Sequence, residues 1–194
     1  METKYLFAFT GLKGSGKDTA AEALIEIIDE NEHQFIVQFA FADILKNIIH
    51  ETFDITLAES EIIKRLNIKP FNGLTLREVY QHLGESIKSY FGEDVWAKIT
   101  IQRLKEVIQD VNVNFLICTD LRYPIEEACL KKFCEDEGIE LIIIKMINTN
   151  INQNIDNHIS ETLIEIINNN YEIKASNIHQ IKLQMEEIYD AISK

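Results

Sequence analysis

A glycine-rich segment between an apolar run and an amphipathic stretch carries the clearest chemical signal in the sequence. It reads Gly11-Leu12-Lys13-Gly14-Ser15-Gly16-Lys17-Asp18-Thr19. Phosphate oxygens need several N–H donors that converge on one point, and glycines let the backbone turn tightly enough to supply them. Lys17 adds a mobile charge for β- and γ-phosphates. The segment predicts a loop that binds ATP through Gly14, Ser15, Gly16, Lys17, Asp18 and Thr19. The alternative is a strand-to-helix turn without a ligand.

Carboxylates near this loop are candidates for holding Mg²⁺ through water. Asp18 stands where such loops usually have a Ser or Thr that binds the ion. Asp120 directly follows an apolar run at 115–119, and a helix-capping role is its alternative. Regulatory GTPases and motor ATPases keep the hydroxyl, so Asp18 disfavours those classes. Kinases of small phosphorylated substrates tolerate other residues at this position.

Arginines are few, and two of them stand where a side chain can face a cleft. Arg77 follows a helix start and Arg122 follows a strand end. Guanidinium groups clamp phosphate oxygens in pairs, so we assign Arg77 to the phosphate of an acceptor and Arg122 to the transferred phosphoryl group. Pairing with Glu78 or Glu126 at the surface is the alternative for each.

Further candidates for the acceptor follow the first two predicted strands or lie on helices. Lys13 and Lys46 could reach an acceptor phosphate, although Lys46 fits a solvated helix face equally well. Asp43 could organise magnesium waters or bind a sugar. Phe41 and Trp96 could stack on a base, but aromatic residues at helical spacing are more often part of a core.

Apolar runs alternate with amphipathic stretches along the whole chain, which predicts a parallel sheet covered by helices on both faces. The predicted strands are 5–10, 35–40, 115–119, 141–147 and 171–175. The predicted helices are 17–31, 43–53, 57–66, 75 to 84 or beyond, one that follows Asp94, 124–137, 160–167 and 178–192. The polar, Asn-rich stretch after the fourth strand predicts a mobile, lid-like loop at about 147–158.

Length and charge limit the classes of partner. The chain has 194 residues and a net charge of −13, which suits one domain and disfavours nucleic acid and anionic membranes as partners. No apolar run approaches the ~20 residues of a membrane span. The three cysteines lack metal-site spacing, and the start of the chain is not typical of a signal peptide, so we expect a cytoplasmic protein. The oligomeric state stays open, with a homodimer as one option.

Several segments, taken in order, resemble the bacteriophage deoxynucleoside monophosphate kinases. The resemblance covers about residues 5 to 180 and rests on the loop at 13–19 followed by five shorter segments. These are Phe39-Ala40-Phe41-Ala42-Asp43 with Lys46, Thr75-Leu76-Arg77-Glu78 with Gln81, Leu83 and Gly84, Asp94 with Trp96, Thr119-Asp120-Leu121-Arg122-Tyr123-Pro124 with Glu126, and His158 with Ser160 and Glu161.

This resemblance implies an adenylate-kinase-like P-loop fold with five parallel strands. It implies transfer of the γ-phosphate of ATP, with Mg²⁺, to a deoxynucleoside 5′-monophosphate for DNA precursor supply, in the host-cell cytoplasm if the protein is viral. It also implies a helical substrate-binding insertion at about 41–110 and a role for Gln81 at the substrate. Family members often carry an arginine shortly after the segment that ends here at Gly84, and the nearest cation to that position in this chain is Lys88. The alternatives are a kinase of another small phosphate ester, such as phosphomevalonate, and a nucleotide-binding module without transfer activity.

Overall fold

A computed structural model describes residues 4–31, 35–110, 113–150 and 162–193. The chain forms two compact units, a sheet unit at 1–40 and 101–194 and a helical unit at 41–100. The strands are β1 (Lys4–Thr10), β2 (Phe35–Phe39), β3 (Val113–Leu121), β4 (Ile139–Asn148) and β5 (Tyr171–Ala175). The helices are α1 (Lys17–Asn31), α2 (Ala42–Phe53), α3 (Leu57–Arg65), α4 (Leu76–Phe91), α5 (Val95–Asp110), α6 (Pro124–Glu137) and α7 (Ile178–Ile192).

The sheet unit contains five parallel strands in the order β2-β3-β1-β4-β5. Strand β1 lies in the centre, and its alternate residues Phe7 and Phe9 are fully buried on one face, against α1 and α7. Helix α6 packs against β4. Because parallel strands all end at one edge, the segments that follow β1, β3 and β4 begin at that edge. The predicted fold class, a five-stranded parallel sheet flanked by helices, is confirmed.

The helical unit consists of α2, α3, α4 and the first part of α5. Thr75 and Glu78 form the capping box that their spacing predicts at the start of α4, and Thr56 and Glu59 form a second one at α3. Helices α2 and α4 approach closely, since a Cβ at Gly84 would lie 3.3 Å from Leu45 Cδ2. The role of this unit in binding a substrate stays a prediction.

Several predicted boundaries differ from the structure. Hydrogen-bonded pairing extends β3 and β4 beyond the predicted bounds of 115–119 and 141–147, because ladder bonds do not require apolar side chains. Residues 147 and 148 of the predicted lid-like loop therefore belong to β4, and residues 151–158 lie outside the described residues. Of the predicted helix at 160–167, residues 162 and 163 are helical, Ile164–Ile166 continues as a 3₁₀ turn, and 160 and 161 lie outside the described residues. In the described ranges, no helix is both long enough and apolar enough to cross a membrane.

Candidate functional site

The loop between β1 and α1 has a backbone that requires glycine at two positions. Gly11 has φ +145° and Gly16 has φ +95°, both in the region that L side chains rarely adopt. A Cβ at Gly11 would lie 2.4 Å from the carbonyl oxygen of Met146, and one at Gly16 would lie 2.9 Å from Ile181 Cδ1. The loop is therefore fixed between β4 on one side and α7 on the other. Its tight turn has the shape that phosphate binding needs.

Lys17 lies at the first position of α1 and is nearly buried, with 7% of the residue exposed. Its Nζ donates hydrogen bonds to the carbonyl oxygens of Gly11 (2.7 Å) and Leu12 (2.9 Å). The ammonium group is thus held at the beginning of the loop. Because carbonyl oxygens carry only partial charge, phosphate oxygens are stronger partners for the same protons.

Ser15 supplies a buried hydroxyl inside the loop. Its backbone N–H donates to Leu12 O (3.1 Å), which closes a turn. Its Oγ has no hydrogen-bond partner in the part of the chain that the structure describes, although the residue is only 5% exposed. A buried, unsatisfied hydroxyl costs free energy unless a ligand or a water completes it. The loop residues therefore fit a bound phosphate chain.

Asn148 is a contact of the loop that sequence reasoning missed. This residue ends β4, and its side-chain amide donates to Gly14 O at 3.2 Å. Its own Oδ1 accepts the backbone N–H of Asn150. The end of β4 thus holds the middle of the loop in place. The amide stands in an Asn-rich stretch, so its type alone did not distinguish it from its neighbours.

The two predicted magnesium carboxylates lie in different settings. Asp18 is exposed in the first turn of α1. The sequence predicts Asp120 directly after the third strand, but the structure places it within β3. The pairing of β1 with β3 shifts between Ala8 and Thr10, so β3 carries one extra residue there. Such a bulge is common near functional sites because it redirects side chains.

Mg²⁺ fits this site only as an ion that ATP brings with it. Within the described ranges, no group of three or more His, Cys, Asp or Glu side chains could hold a metal ion. Mg²⁺ usually keeps several waters and binds one or two carboxylates together with substrate phosphates. Asp18 and Asp120 are carboxylates of the kind that such binding uses.

Arg122 follows β3 directly, as predicted, and its backbone is fixed by the buried Glu126. The Glu126 Oε2 accepts the backbone N–H of Arg122 (2.9 Å) and that of Tyr123 (3.0 Å). These bonds fix the chain where it turns from β3 into α6, and Pro124 begins the helix. The half-buried Arg122 therefore extends from a rigid base.

In the helical unit, the candidates for binding an acceptor lie on α2 and α4. Lys46 Nζ pairs with Asp43 Oδ1 at 3.3 Å, one helical turn apart. Arg77 is the second residue of α4, and Gln81 lies one turn further along. The backbone N–H and then the hydroxyl of Thr75 bind Glu78 and lower the pKa of its carboxyl group. The cap uses the Oε2 atom of Glu78, the residue considered as a partner for Arg77.

A neutral histidine–tyrosine pair also joins α2 and α4. His50 Nε2 lies 2.7 Å from Tyr80 Oη. Burial, followed by the charges of Lys64 and Lys46, lowers the pKa of His50. Burial, followed by the charge of Glu61, raises the pKa of Tyr80 to about 12. Both side chains are therefore uncharged near neutral pH.

The remaining predicted residues are split between buried and exposed positions. Phe41 and Trp96 are buried, with 3% and 8% of each residue exposed, and the Trp96 indole N–H donates to Gly84 O at 3.3 Å. These positions favour the core interpretation, and base stacking stays a prediction. Lys13 is exposed in the loop. His158, Ser160 and Glu161 lie outside the described residues.

Comparison with known proteins gives structural matches. No protein-family model and no curated protein matches the chain. The APS kinase of Mycobacterium tuberculosis, solved in complex with AMPPNP and APS, is 13% identical, has a TM-score of 0.53 and is covered over 100% of both chains. A candidate kinase from Chloroflexus aurantiacus is 10% identical with a TM-score of 0.52, over 100% of this chain and 98% of that one. The chain shares the fold of these solved kinase structures.

In this P-loop fold, Gly11–Lys17 lies at the carboxyl edge of the central strand, and Arg122 leaves the neighbouring strand at the same edge. Of the predicted residues, the sheet unit holds Lys13–Thr19, Asp120 and Arg122. The helical unit holds Phe41, Asp43, Lys46, Arg77, Gln81 and Trp96.

Proposed function

We propose that the protein transfers the γ-phosphoryl group of ATP to the 5′-phosphate of a deoxynucleoside monophosphate, which yields the diphosphate and ADP. The observation that supports this most directly is the P-loop itself. Its tight glycine turn, the buried ammonium of Lys17 and the hydroxyl of Ser15, which has no partner among the described residues, form a cradle for a phosphate chain. ATP and the acceptor are the small-molecule partners of this function.

The transfer breaks the bond between the γ-phosphorus and its bridging oxygen and forms a bond to an oxygen of the acceptor phosphate. The bridging oxygen leaves on ADP with its electron pair. Lys17 moves from the Gly11 and Leu12 carbonyls to the phosphates, and Arg122 binds the oxygens of the group in transit. Positioning and charge neutralisation are the main requirements of this reaction. Asp18 and Asp120 are the residues that would hold Mg²⁺ through water, and the ion would supply further charge neutralisation.

The acceptor is bound by the cations of the helical unit. Arg77 and Lys46 bind its phosphate, Asp43 holds Lys46, and Gln81 lies one turn from Arg77. Lys13 adds an exposed charge from the loop. The preference for a deoxynucleoside rests on the ordered resemblance in 39–84. An apolar or steric wall against a 2′-hydroxyl typically discriminates by about 10–200-fold.

A coupled assay of ADP release tests this function. Purified protein receives ATP, Mg²⁺ and, in parallel, each deoxynucleoside monophosphate, each ribonucleoside monophosphate and phosphomevalonate. We expect the highest kcat/KM with a deoxynucleoside monophosphate. Equal or better use of the ribonucleotides would refute the deoxy preference. Turnover of phosphomevalonate alone would identify a kinase of another phosphate ester, and no turnover with ATP bound would identify a binding module.

Lys17→Met provides the loop variant for the same assay. Methionine keeps most of the side-chain volume at this buried position and removes the charge, so we expect folding to persist and transfer to be lost. Lys132→Met is the matched control, because Lys132 is an exposed lysine on α6 of the same unit. Normal turnover in the folded Lys17→Met variant would exclude the proposed role of the loop.

A further inference from the structure

The centre of strand β4, residues 141–147, is apolar except for one lysine. Lys145 stands between Ile144 and Met146, and only 14% of its side chain is exposed. Its Nζ pairs with Glu165 Oε2 at 2.8 Å. Glu165 belongs to the 3₁₀ turn Ile164–Ile166 and is 66% exposed. This largely covered lysine is thus paired with a carboxylate that water largely surrounds.

The position of Lys145 places it beside the base of the P-loop. The parallel register pairs Lys145 with Thr10, the last residue of β1. Paired residues on neighbouring strands lie about 5 Å apart and project from the same face of a sheet. The next residue on each strand is again in contact, because a Cβ at Gly11 would meet Met146 O at 2.4 Å.

Two lysines therefore lie near the beginning of the loop, one through its ammonium group and the other through its strand position. Lys17 binds the carbonyl of Gly11, and Lys145 extends from the strand position paired with Thr10. The carboxyl ends of parallel strands are where this class of sheet binds ligands. A polyphosphate chain carries several negative charges, so it competes for both cations.

Thr10 adds an independent observation. It is fully buried, and its Oγ1 has no hydrogen-bond partner among the residues that the structure describes. A buried hydroxyl without a partner carries a desolvation cost, which a bound water or ligand atom relieves. This hydroxyl lies on the same face as Lys145 and on the strand that leads into the loop.

We propose that Lys145 is a second phosphate-binding lysine, held in reserve by Glu165 until ATP binds. On binding, Lys145 exchanges the exposed Glu165 carboxylate for oxygens of the phosphate chain. The exchange is favourable because an ion pair with an exposed partner is weak, whereas a multiply charged phosphate binds an ammonium strongly. This inference rests on the proposed function of the loop as an ATP site.

Two substitutions distinguish this role from a purely structural ion pair. Lys145→Met removes the cation, so we expect the affinity for ATP and for inorganic tripolyphosphate to fall by about tenfold or more. Glu165→Gln removes the competitor, so we expect both affinities to stay unchanged or rise. Isothermal titration calorimetry in the absence of acceptor measures the affinities for ATP and for tripolyphosphate. A structural ion pair predicts the same sign for the two variants, which would overturn the proposal.

Controls separate charge, stability and function. Lys174→Met removes an exposed, paired lysine from the adjacent strand β5 and should leave both affinities unchanged. Lys145→Arg keeps a cation at this position and should bind ATP as the wild-type protein does. This variant also tests the proposal if Lys145→Met folds poorly. Weak ATP binding by a folded Lys145→Arg protein would count against a cation role. Wild-type protein that binds ATP without transferring phosphate refutes the proposed kinase function but leaves Lys145 testable. Normal transfer with unchanged affinity in Lys145→Met refutes only this inference.

Discussion

Replacing Gly11 by alanine tests whether the P-loop depends on a backbone that only glycine permits. The new Cβ would lie 2.4 Å from Met146 O and 2.7 Å from Ser15 Oγ, at a φ of +145°. The hydroxyl of Ser15 can rotate away, but the carbonyl of Met146 is part of β4 and its ladder. The loop must therefore move by several tenths of an ångström or more.

The expected cost has two parts. A backbone conformation of this kind costs about 1–3 kcal/mol for a residue with a side chain. Displacement of the loop adds a loss of binding, since a shift of ~1 Å in a positioned group can cost about 100-fold. We expect Gly11→Ala to unfold at a lower urea concentration and to lose most of its affinity for ATP.

Gly138→Ala is the matched control. Gly138 ends α6 with φ +66°, and a Cβ there would meet nothing within 4 Å. The left-handed backbone alone should lower the free energy of unfolding of Gly138→Ala by about 1–2 kcal/mol. The affinity of this variant for ATP should be unchanged. Urea unfolding by circular dichroism and calorimetric titration with ATP measure both quantities. Wild-type ATP affinity in Gly11→Ala, or an equal loss in both variants, would refute the reasoning.

Further substitutions test the arginines and the pH dependence. Arg77→Ala should raise the KM for the acceptor, and Arg122→Ala should lower kcat, and each change should cost about 1.5–3 kcal/mol in kcat/KM. Arg65→Ala, on the exposed side of α3, is the control and should change neither constant. Identical kinetic changes in the Arg77 and Arg122 variants would contradict their separate roles. The pKa of His50 is lowered from 6.5 by burial and by two nearby lysines, so the unfolded chain takes up this proton first as the pH falls. The contribution of His50 to stability is therefore complete above 6.5 and declines as the pH falls towards and through the folded pKa. Urea midpoints between about pH 5 and about pH 7.5 should show this decline, and His50→Asn should make it shallower; equal slopes would exclude it.

Sequence patterns predicted the elements best where local chemistry fixes both ends. Helix α6 begins at Pro124 and ends before Gly138 as predicted, because a proline at the first position and a left-handed glycine after the last one define a helix locally. Strand β5 and helix α7 also have their predicted bounds. Strand ends depend on pairing partners distant in sequence, so the predicted bounds of β3 and β4 were too short.

The site was predictable only where its residues form a local motif. The loop at 11–17 is one such motif, and its geometry follows from its own glycines. Asn148 and Lys145 join it through strand register, which no local pattern reveals. A lone lysine inside an apolar strand was the available signal for Lys145, since a buried charge needs a partner or a function. The bulge that carries Asp120 also arises from pairing and is invisible in one strand.

The position of β1 in the sheet has a consequence for how the protein is made. Strand β1 is synthesised before β3 and β4, which lie in 113–148, yet it pairs with both of them. The nascent chain therefore carries an apolar strand and an unsupported glycine loop until residues 113–148 have left the ribosome. Long-range parallel pairing of this kind folds slowly and exposes aggregation-prone surface meanwhile. Chaperone demand during synthesis should accordingly be set by the arrival of β3 and β4.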